Sequence, residues 1–140
     1  MNSSTDTVTL VHDAIHNPTE PRHFMRIIEL KHVVTAAIGG TEIARSDRAL
    51  KVKEVGRDIY DPVVYFPRAD VAMQLLRRID KSTHCPLKGD TAYFDADLNG
   101  TRVPEVGWSY EHTIAIAAAL RDYIAFDRRR VHIVELTVES

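Results

Sequence analysis

Two dipeptides, Gly39-Gly40 and Asn99-Gly100, each separate two runs in which apolar and polar residues tend to alternate. Glycine and asparagine adopt the positive φ angles that tight hairpin turns require, and Asn-Gly is the strongest short hairpin signal. The segments "IIELKHVVTAAIGGTEIARS" and "DTAYFDADLNGTRVPEVGWSY" therefore predict two β-hairpins. Such hairpins favour a mainly antiparallel β fold.

Further strands are predicted in "ALKVKEV", "DPVVYF", "YIAF" and "VHIVELTV", which are rich in β-branched and aromatic residues. Pro104 places its strand at a sheet edge or a bulge, because proline lacks the N–H of a ladder donor. Two short helices are predicted, over "PRADVAMQLLRR" from its apolar spacing and over the alanine-rich "HTIAIAAALRDY". The basic run "DRRR" is predicted to be a solvated turn.

The chain has 140 residues, which suffices for one domain with a hydrophobic core. Residues 1–23 are polar and carry Pro18 and Pro21, so we predict an amino-terminal arm followed by one domain over residues 24–140. The formal net charge of -2 gives no broad attraction for nucleic acid. Because no apolar run is long enough to span a membrane and a lone cysteine forms no internal disulfide, a cytoplasmic location is predicted.

The segment "THCPLKGDTAYF" holds the one cysteine, Cys85, directly before Pro86, with Lys88 three positions later. The proline favours an extended backbone at Cys85 and a bend after it. A lysine ammonium beside the sulfur would favour the reactive thiolate, so Cys85 and Lys88 are candidate catalytic residues. The alternative is that Cys85 is a small buried apolar residue, which is the usual role of a lone cysteine.

Trp108 and Tyr110 are two apart on a predicted strand, so their rings share one face. Rings arranged in this way belong to the core or line a pocket for a flat or cationic ligand. Tyr65 and Tyr93 of other strands could join them. Glu54 and Arg48 would add charge to such a pocket if their strand lies alongside. The candidate ligand-binding residues are Arg48, Glu54, Tyr65, Tyr93, Trp108 and Tyr110.

Asp95 and Asp97 are also two apart on a strand, so both carboxylates could hold Mg²⁺ for nucleotidyl transfer. The alternative is that they form the solvent face of a half-buried strand. Of the seven histidines, His12 and His16 stand at i, i+4, but within the predicted arm. No metal site is assigned, and the sequence identifies no cofactor.

Over roughly residues 30–135 the chain resembles a small bacterial family, domain of unknown function 427, which is sometimes called nucleotidyltransferase. The segments that carry the resemblance are "ARSDRALKVKE", "VVYFPRADVAMQLL", "THCPLKGDTAYF", "GWSY" and "YIAF". Gly107 and Glu111 depart from the alanine and proline that the family has there. The matching positions are Glu54, Tyr65, Phe66, Pro67, Asp70, Cys85, Pro86, Lys88, Gly89, Tyr93, Trp108 and Tyr110.

The resemblance implies a β-tent, in which two antiparallel sheets meet at an angle and hold a ligand pocket between or upon them. Together with the sequence patterns, it predicts a mainly β protein with one or two short helices. Members of this fold that bind zinc do so through paired cysteines, which a chain with one cysteine lacks.

The leading hypothesis is a module that binds a small molecule or a nucleotide-like ligand in a pocket of aromatic residues and Lys88. One alternative is an enzyme with Cys85 as nucleophile and Lys88 as the group that tunes it. Another is a metal-dependent nucleotidyltransferase that uses the paired aspartates. A structural role also stays open, in which an edge strand near Pro104 pairs with a second copy in a homodimer.

Overall fold

The computed structural model describes residue 10 and residues 12–137. Over these residues the chain forms eleven β-strands in two antiparallel sheets, and its helical segments are short 3₁₀ turns. The mainly β fold class predicted from the sequence is confirmed. The strands are β1 Ile15–Asn17, β2 Glu20–Glu29, β3 Val33–Ile38, β4 Thr41–Ser46, β5 Leu50–Val55, β6 Val63–Pro67, β7 Leu76–Cys85, β8 Gly89–Leu98, β9 Thr101–Thr113, β10 Tyr123–Phe126 and β11 His132–Leu136.

The larger sheet has eight strands in the order β1-β2-β5-β6-β10-β9-β8-β7, and the smaller sheet has three in the order β11-β3-β4. Gly39 and Gly40 join β3 to β4, and Asn99 and Gly100 join β8 to β9. All four turn residues have positive φ, between +52° and +84°. Both hairpin turns are therefore confirmed, but the single strand predicted before Gly39 from residue 27 is wrong, because that stretch is divided between β2 and β3, which lie in different sheets.

The prediction of a helix over residues 67–78 is wrong. Two 3₁₀ turns, Arg68–Asp70 and Met73–Leu75, take its place, and β7 begins directly after the second. Between the turns, Val71 is extended and forms a β-bridge with Ala44 of β4. Pairing with a neighbouring strand has overridden the local helical spacing.

The second predicted helix is present as a 3₁₀ segment, Ala115–Leu120, with a kink at Ala117. Ala117 and Leu120 are buried. The prediction that "DRRR" forms a turn is also confirmed, because the backbone N–H of Arg130 donates to the carbonyl of Asp127.

Pro104 lies at an irregularity in β9, where the register against β8 shifts. The Oδ1 of Asp95 accepts the backbone N–H of Glu105 at 2.9 Å, and Glu105 has a positive φ of 44°. The Asp95 carboxylate thus accepts a backbone N–H that is left outside the regular strand pairing at the bulge. Pairing of a second copy near Pro104 stays a prediction.

Part of the predicted arm lies in the larger sheet, because β1 and the first residues of β2 precede Phe24. Residues 1–9 and 11 of the arm lie outside the described residues. The division of the chain at Phe24 stays a prediction.

The larger sheet packs on both faces, because successive side chains of a strand point to opposite sides. On one face Val64 and Phe66 belong to the main core, which includes residues of the smaller sheet. On the other face the intervening Tyr65 packs in a second cluster with Leu87, which follows β7, and Leu120 of the 3₁₀ segment. This second face carries the candidate site.

Glu135 of β11 links the smaller sheet to the larger one. Its carboxylate lies 2.7 Å from Lys51 Nζ of β5 and 2.8 Å from His32 Nε2. The hydrogen bond with Lys51 lowers the pKa of Glu135; burial opposes this less strongly, and the contact with His32 adds to the lowering.

We expect Glu135→Gln to lower the free energy of unfolding at neutral pH by roughly 1 kcal/mol. A carboxyl whose pKa is lower in the folded chain stabilises it above the unfolded pKa, and this contribution is lost as pH falls through the folded pKa. Urea titrations should therefore show the difference from wild type shrinking below about pH 4. A difference that persists in acid would contradict this origin.

Candidate functional site

A row of paired residues crosses four adjacent strands of the larger sheet. Tyr65 of β6 is opposite Ala125 of β10, Ala125 is opposite Trp108 of β9, and Trp108 is opposite Tyr93 of β8. Directly paired residues share a face, so three aromatic side chains stand side by side around one small alanine. The indole N–H of Trp108 donates to the hydroxyl of Tyr65 at 3.3 Å.

Tyr110 extends this row along β9, because it lies two residues after Trp108. Its ring centroid is 6.4 Å from that of Tyr65. Tyr65 and Tyr110 are buried, whereas Trp108 and Tyr93 are partly exposed. The latter two rings are therefore the ones that a ligand could reach.

An acidic and a basic group lie beside the rings because of the same strand alternation. Glu54 of β5 is paired with Met25 of β2, and His23 lies two residues before Met25, so all three face the same side. His23 Nε2 and Glu54 Oε2 are 2.7 Å apart. The other oxygen of Glu54 accepts a hydrogen bond from Lys88 Nζ.

Lys88 reaches this position through a tight turn after β7. Its backbone N–H donates to the carbonyl of Cys85 at 3.2 Å, with Pro86 in the turn. Gly89 follows with a φ of +122°, and a Cβ at this position would lie 2.3 Å from the carbonyl oxygen of His112. The position after Lys88 thus requires glycine, which explains the last residue of the Cys-Pro-x-Lys-Gly motif.

Lys88 is 5% exposed, and its ammonium contacts three groups. Besides Glu54 it lies 3.9 Å from Cys85 Sγ and 5.7 Å from the centre of the Tyr110 ring. Burial raises the pKa of Glu54, but the charge and hydrogen bond of Lys88, with the contact from His23, outweigh it and hold that pKa below its usual range. Glu54 is therefore an anion that fixes the Lys88 side chain in place.

The buried phenols of Tyr65 and Tyr110 remain neutral. Burial is the largest cause that raises the pKa of each hydroxyl above its ordinary value. Nearby groups, including Glu54, raise it further. Both residues thus present O–H groups at any physiological pH.

These groups surround one open cavity of about 660 Å³, here called the aromatic cavity. This volume is in the usual range for small-molecule sites. The lining residues are His23, Glu54, Tyr60, Val63, Tyr65, Lys81, His84, Cys85, Pro86, Lys88, Tyr93, Glu105, Trp108, Tyr110, Asp127 and Arg129.

The structure brings seven of the eight predicted site residues to the aromatic cavity. The exception is Arg48, which is not among the lining residues. Its Nε lies 3.1 Å from Asp70 Oδ2, and the same oxygen accepts the hydroxyl of Ser46 at 2.6 Å. Arg48 thus joins β4 and the loop after it to the turn that follows β6.

Asp95 and Asp97 do not line the aromatic cavity. Besides its bond at the β9 bulge, Asp95 lies 3.8 Å from Arg102 Nε, and Asp97 lies 3.4 Å from Arg77 Nη2. Among the described residues, no group of three or more histidine, cysteine, aspartate or glutamate side chains is arranged to hold a metal ion. The contacts of the two aspartates are structural.

Sequence reasoning missed several residues of the cavity, and His23 is the most consequential. It belongs to the predicted arm, and only the register of β2 against β5 places it beside Glu54. Lys81 was missed as well, because β7 is a polar edge strand without an apolar pattern. Its Nζ stands 4.5 Å over the ring of Tyr93 and 3.0 Å from Glu105.

The fold and site define a mainly β protein with an aromatic cavity on one face of its larger sheet. A family model described as domain of unknown function (DUF427) matches residues 26–137. The chain belongs to this family, and the resemblance seen in its sequence is confirmed. A comparison with curated proteins found no match.

In the described part of the chain, no helix has the length and apolar character to cross a membrane.

Proposed function

We propose that this protein binds a small molecule with a planar ring, of nucleoside-like size, in the aromatic cavity. The main support is the row of Tyr65, Trp108 and Tyr93 beside a buried Lys88–Glu54 ion pair in one cavity of about 660 Å³. Binding sites of this kind combine apolar walls with a few fixed polar groups that orient the ligand.

Trp108 is the ring best placed for stacking. Lysine ammonium groups stand over the rings of Tyr93 and Tyr110. Among the described residues, no ring or cation is stacked on Trp108. Its indole is also held by the hydrogen bond to Tyr65, which limits the entropy lost when a ligand binds.

The ion pair supplies the polar contacts of the proposed site. Glu54 fixes the direction of the Lys88 ammonium through their hydrogen bond, and Glu54 is held in turn by His23. A ring with a carbonyl or ring nitrogen can accept from Lys88, and an N–H can donate to Glu54. This pattern suits a heteroaromatic ligand better than a hydrocarbon.

Trp108 is the one tryptophan of the chain, so its fluorescence reports on the cavity directly. We expect nucleosides, nucleobases or other heteroaromatic metabolites of a test panel to quench it with saturable binding. In ligand-observed NMR, Trp108→Ala should weaken binding roughly fivefold to 150-fold, since stacking one base on an aromatic side chain contributes about 1–3 kcal/mol.

Phe24→Ala is the matched control, because this half-buried aromatic residue of β2 neither lines the cavity nor packs in the cluster behind it. It should leave the affinity within roughly twofold. Identical binding profiles for wild type and Trp108→Ala would remove the aromatic cavity from consideration.

A second candidate function is covalent catalysis by Cys85. It is favoured by one observation, the distance of 3.9 Å between Cys85 Sγ and the buried Lys88 ammonium at the wall of the cavity. An adjacent cation is one of the features that activate a cysteine nucleophile. The neighbouring His84 lines the same cavity, and its Nδ1 lies 2.8 Å from Asp90 Oδ1.

If Lys88 activates Cys85, the folded protein should react with iodoacetamide at neutral pH faster than the same chain unfolded in urea. The physical reason is that a fixed ammonium stabilises the thiolate, which is the reacting form. Mass spectrometry of the Cys85 peptide gives both rates. Slower alkylation in the folded state would assign Cys85 to packing alone.

A further inference from the structure

A second concave region opens beside the aromatic cavity. We call it the arginine groove, and it has a volume of about 560 Å³. It shares His23, Tyr60 and Pro86 with the aromatic cavity, so the two regions adjoin at these residues. Its lining residues are Asn17, Glu20, Arg22, His23, Gly56, Arg57, Tyr60 and Pro86.

Tyr60 stands at the boundary between the two regions. A Cβ at Gly56 would lie 3.0 Å from the Tyr60 ring and 3.4 Å from the imidazole of His23, so these side chains converge over the glycine. The backbone N–H of Tyr60 donates to the carbonyl of Glu54 at 3.1 Å, which ties the boundary to the ion pair of the site. A ligand that passes Tyr60 would therefore contact both regions.

The two arginines of the groove differ from most cations around the aromatic cavity. There, Lys81, Lys88 and Arg129 each form an ion pair with a carboxylate. Within the described residues, the guanidinium groups of Arg22 and Arg57 form no ion pair or side-chain hydrogen bond. Each offers five N–H donors in a planar array that matches the oxygens of a phosphate.

The charge of the groove is also favourable to an anion. Its formally charged side chains are Arg22, Arg57 and Glu20, which sum to +1, whereas the whole chain carries -2. Among the described residues Glu20 forms no ion pair with an arginine, and its Oε1 accepts the backbone N–H of Arg22.

We infer that the arginine groove is a phosphate subsite, so that the ligand is a planar heteroaromatic ring carrying a phosphate group. The ring occupies the aromatic cavity, and the phosphate is bound by Arg22 and Arg57. The part of the ligand that joins the ring to the phosphate passes Tyr60. This inference rests on the proposed function for the ring, but the phosphate subsite can be tested on its own.

The test uses the full chain, NMR detection of the arginine Nε–H groups and the Trp108 indole N–H, and matched probes. The probes are inorganic phosphate, and the pairs adenosine with AMP and riboflavin with FMN. The variants are Arg22→Gln with Arg57→Gln, and Arg121→Gln as a control, since Arg121 is exposed and lines neither region.

We expect inorganic phosphate to shift the Arg22 and Arg57 signals but not that of Arg121. In at least one pair, the phosphorylated member should bind roughly tenfold more tightly than its partner. The double variant should abolish this difference and leave the affinity of the unphosphorylated member unchanged. The advantage of the phosphorylated member should also diminish as salt is added.

Two results would overturn the inference. One is that all arginine signals respond to phosphate alike, and the other is that both members of every pair bind equally. If a nucleoside binds at Trp108 without a phosphate advantage, the proposed function stands and the phosphate subsite is refuted. If phosphate binds selectively and no ring perturbs Trp108, the subsite stands and the ring site fails.

Discussion

Glu54→Gln is expected to lower the free energy of unfolding by roughly 3–5 kcal/mol, which is the usual cost of removing one partner of a buried ion pair. The substitution keeps the shape of the side chain but leaves the ammonium of Lys88, a residue that is 5% exposed, without its carboxylate. His23 loses its charged partner as well. Urea denaturation at neutral pH measures the change.

The control is Glu42→Gln, because Glu42 pairs with Arg45 on the surface, with side chains 46% and 57% exposed. This change should cost less than about 1 kcal/mol. Replacing both partners, Glu54→Leu with Lys88→Met, should cost less than Glu54→Gln alone, since no buried charge is left unpaired. If Glu54→Gln lowered the free energy of unfolding no more than Glu42→Gln, the folded site would not depend on the Lys88–Glu54 ion pair.

Gly89→Ala is expected to lower the free energy of unfolding by roughly 4 kcal/mol, from backbone strain and steric overlap together. The φ of Gly89 is +122°, and the new Cβ would meet the backbone carbonyl of His112, which cannot rotate away. The turn that holds Lys88 would have to shift, so ligand affinity should fall with stability.

Gly39→Ala separates strain from overlap. Gly39 also has a positive φ, of 53°, but a Cβ there has no atom within 4 Å. It should therefore cost only about 1–2 kcal/mol. Thermal unfolding of the two variants side by side makes the comparison, and equal losses would show that the close approach at Gly89 is relieved without cost.

The local patterns that predicted the fold were those whose physics is itself local. Asn99-Gly100 and Gly39-Gly40 specify hairpins through their own backbone angles, and the strands beside them follow from alternation. The helix predicted after Pro67 failed because its apolar residues are satisfied by contacts with distant strands, of which the bridge from Val71 to Ala44 is one. Such contacts leave no trace in a short window of sequence.

For the site, two separate stretches carried enough information to be singled out, namely Cys85 with Lys88 and Trp108 with Tyr110. Their meeting in one cavity depends on the order of strands in the larger sheet, which spacing alone does not specify. The same holds for His23, whose role arises only from the pairing of β2 with β5. Arg48 shows the converse, since a charged residue of a motif pairs with Asp70 elsewhere.

The wall formed by Tyr65, Trp108 and Tyr93 depends on lateral alignment between strands from distant parts of the chain. If β9 slid by one residue against both neighbours, Gly107 and Ser109 would replace the indole of Trp108 and the phenol of Tyr110 on that face of the sheet. An insertion in the tight turn before β9 could thus erase the site while every side chain that forms it was still encoded. Variation in the length of that turn is therefore a more severe threat to this protein than most substitutions on its surface.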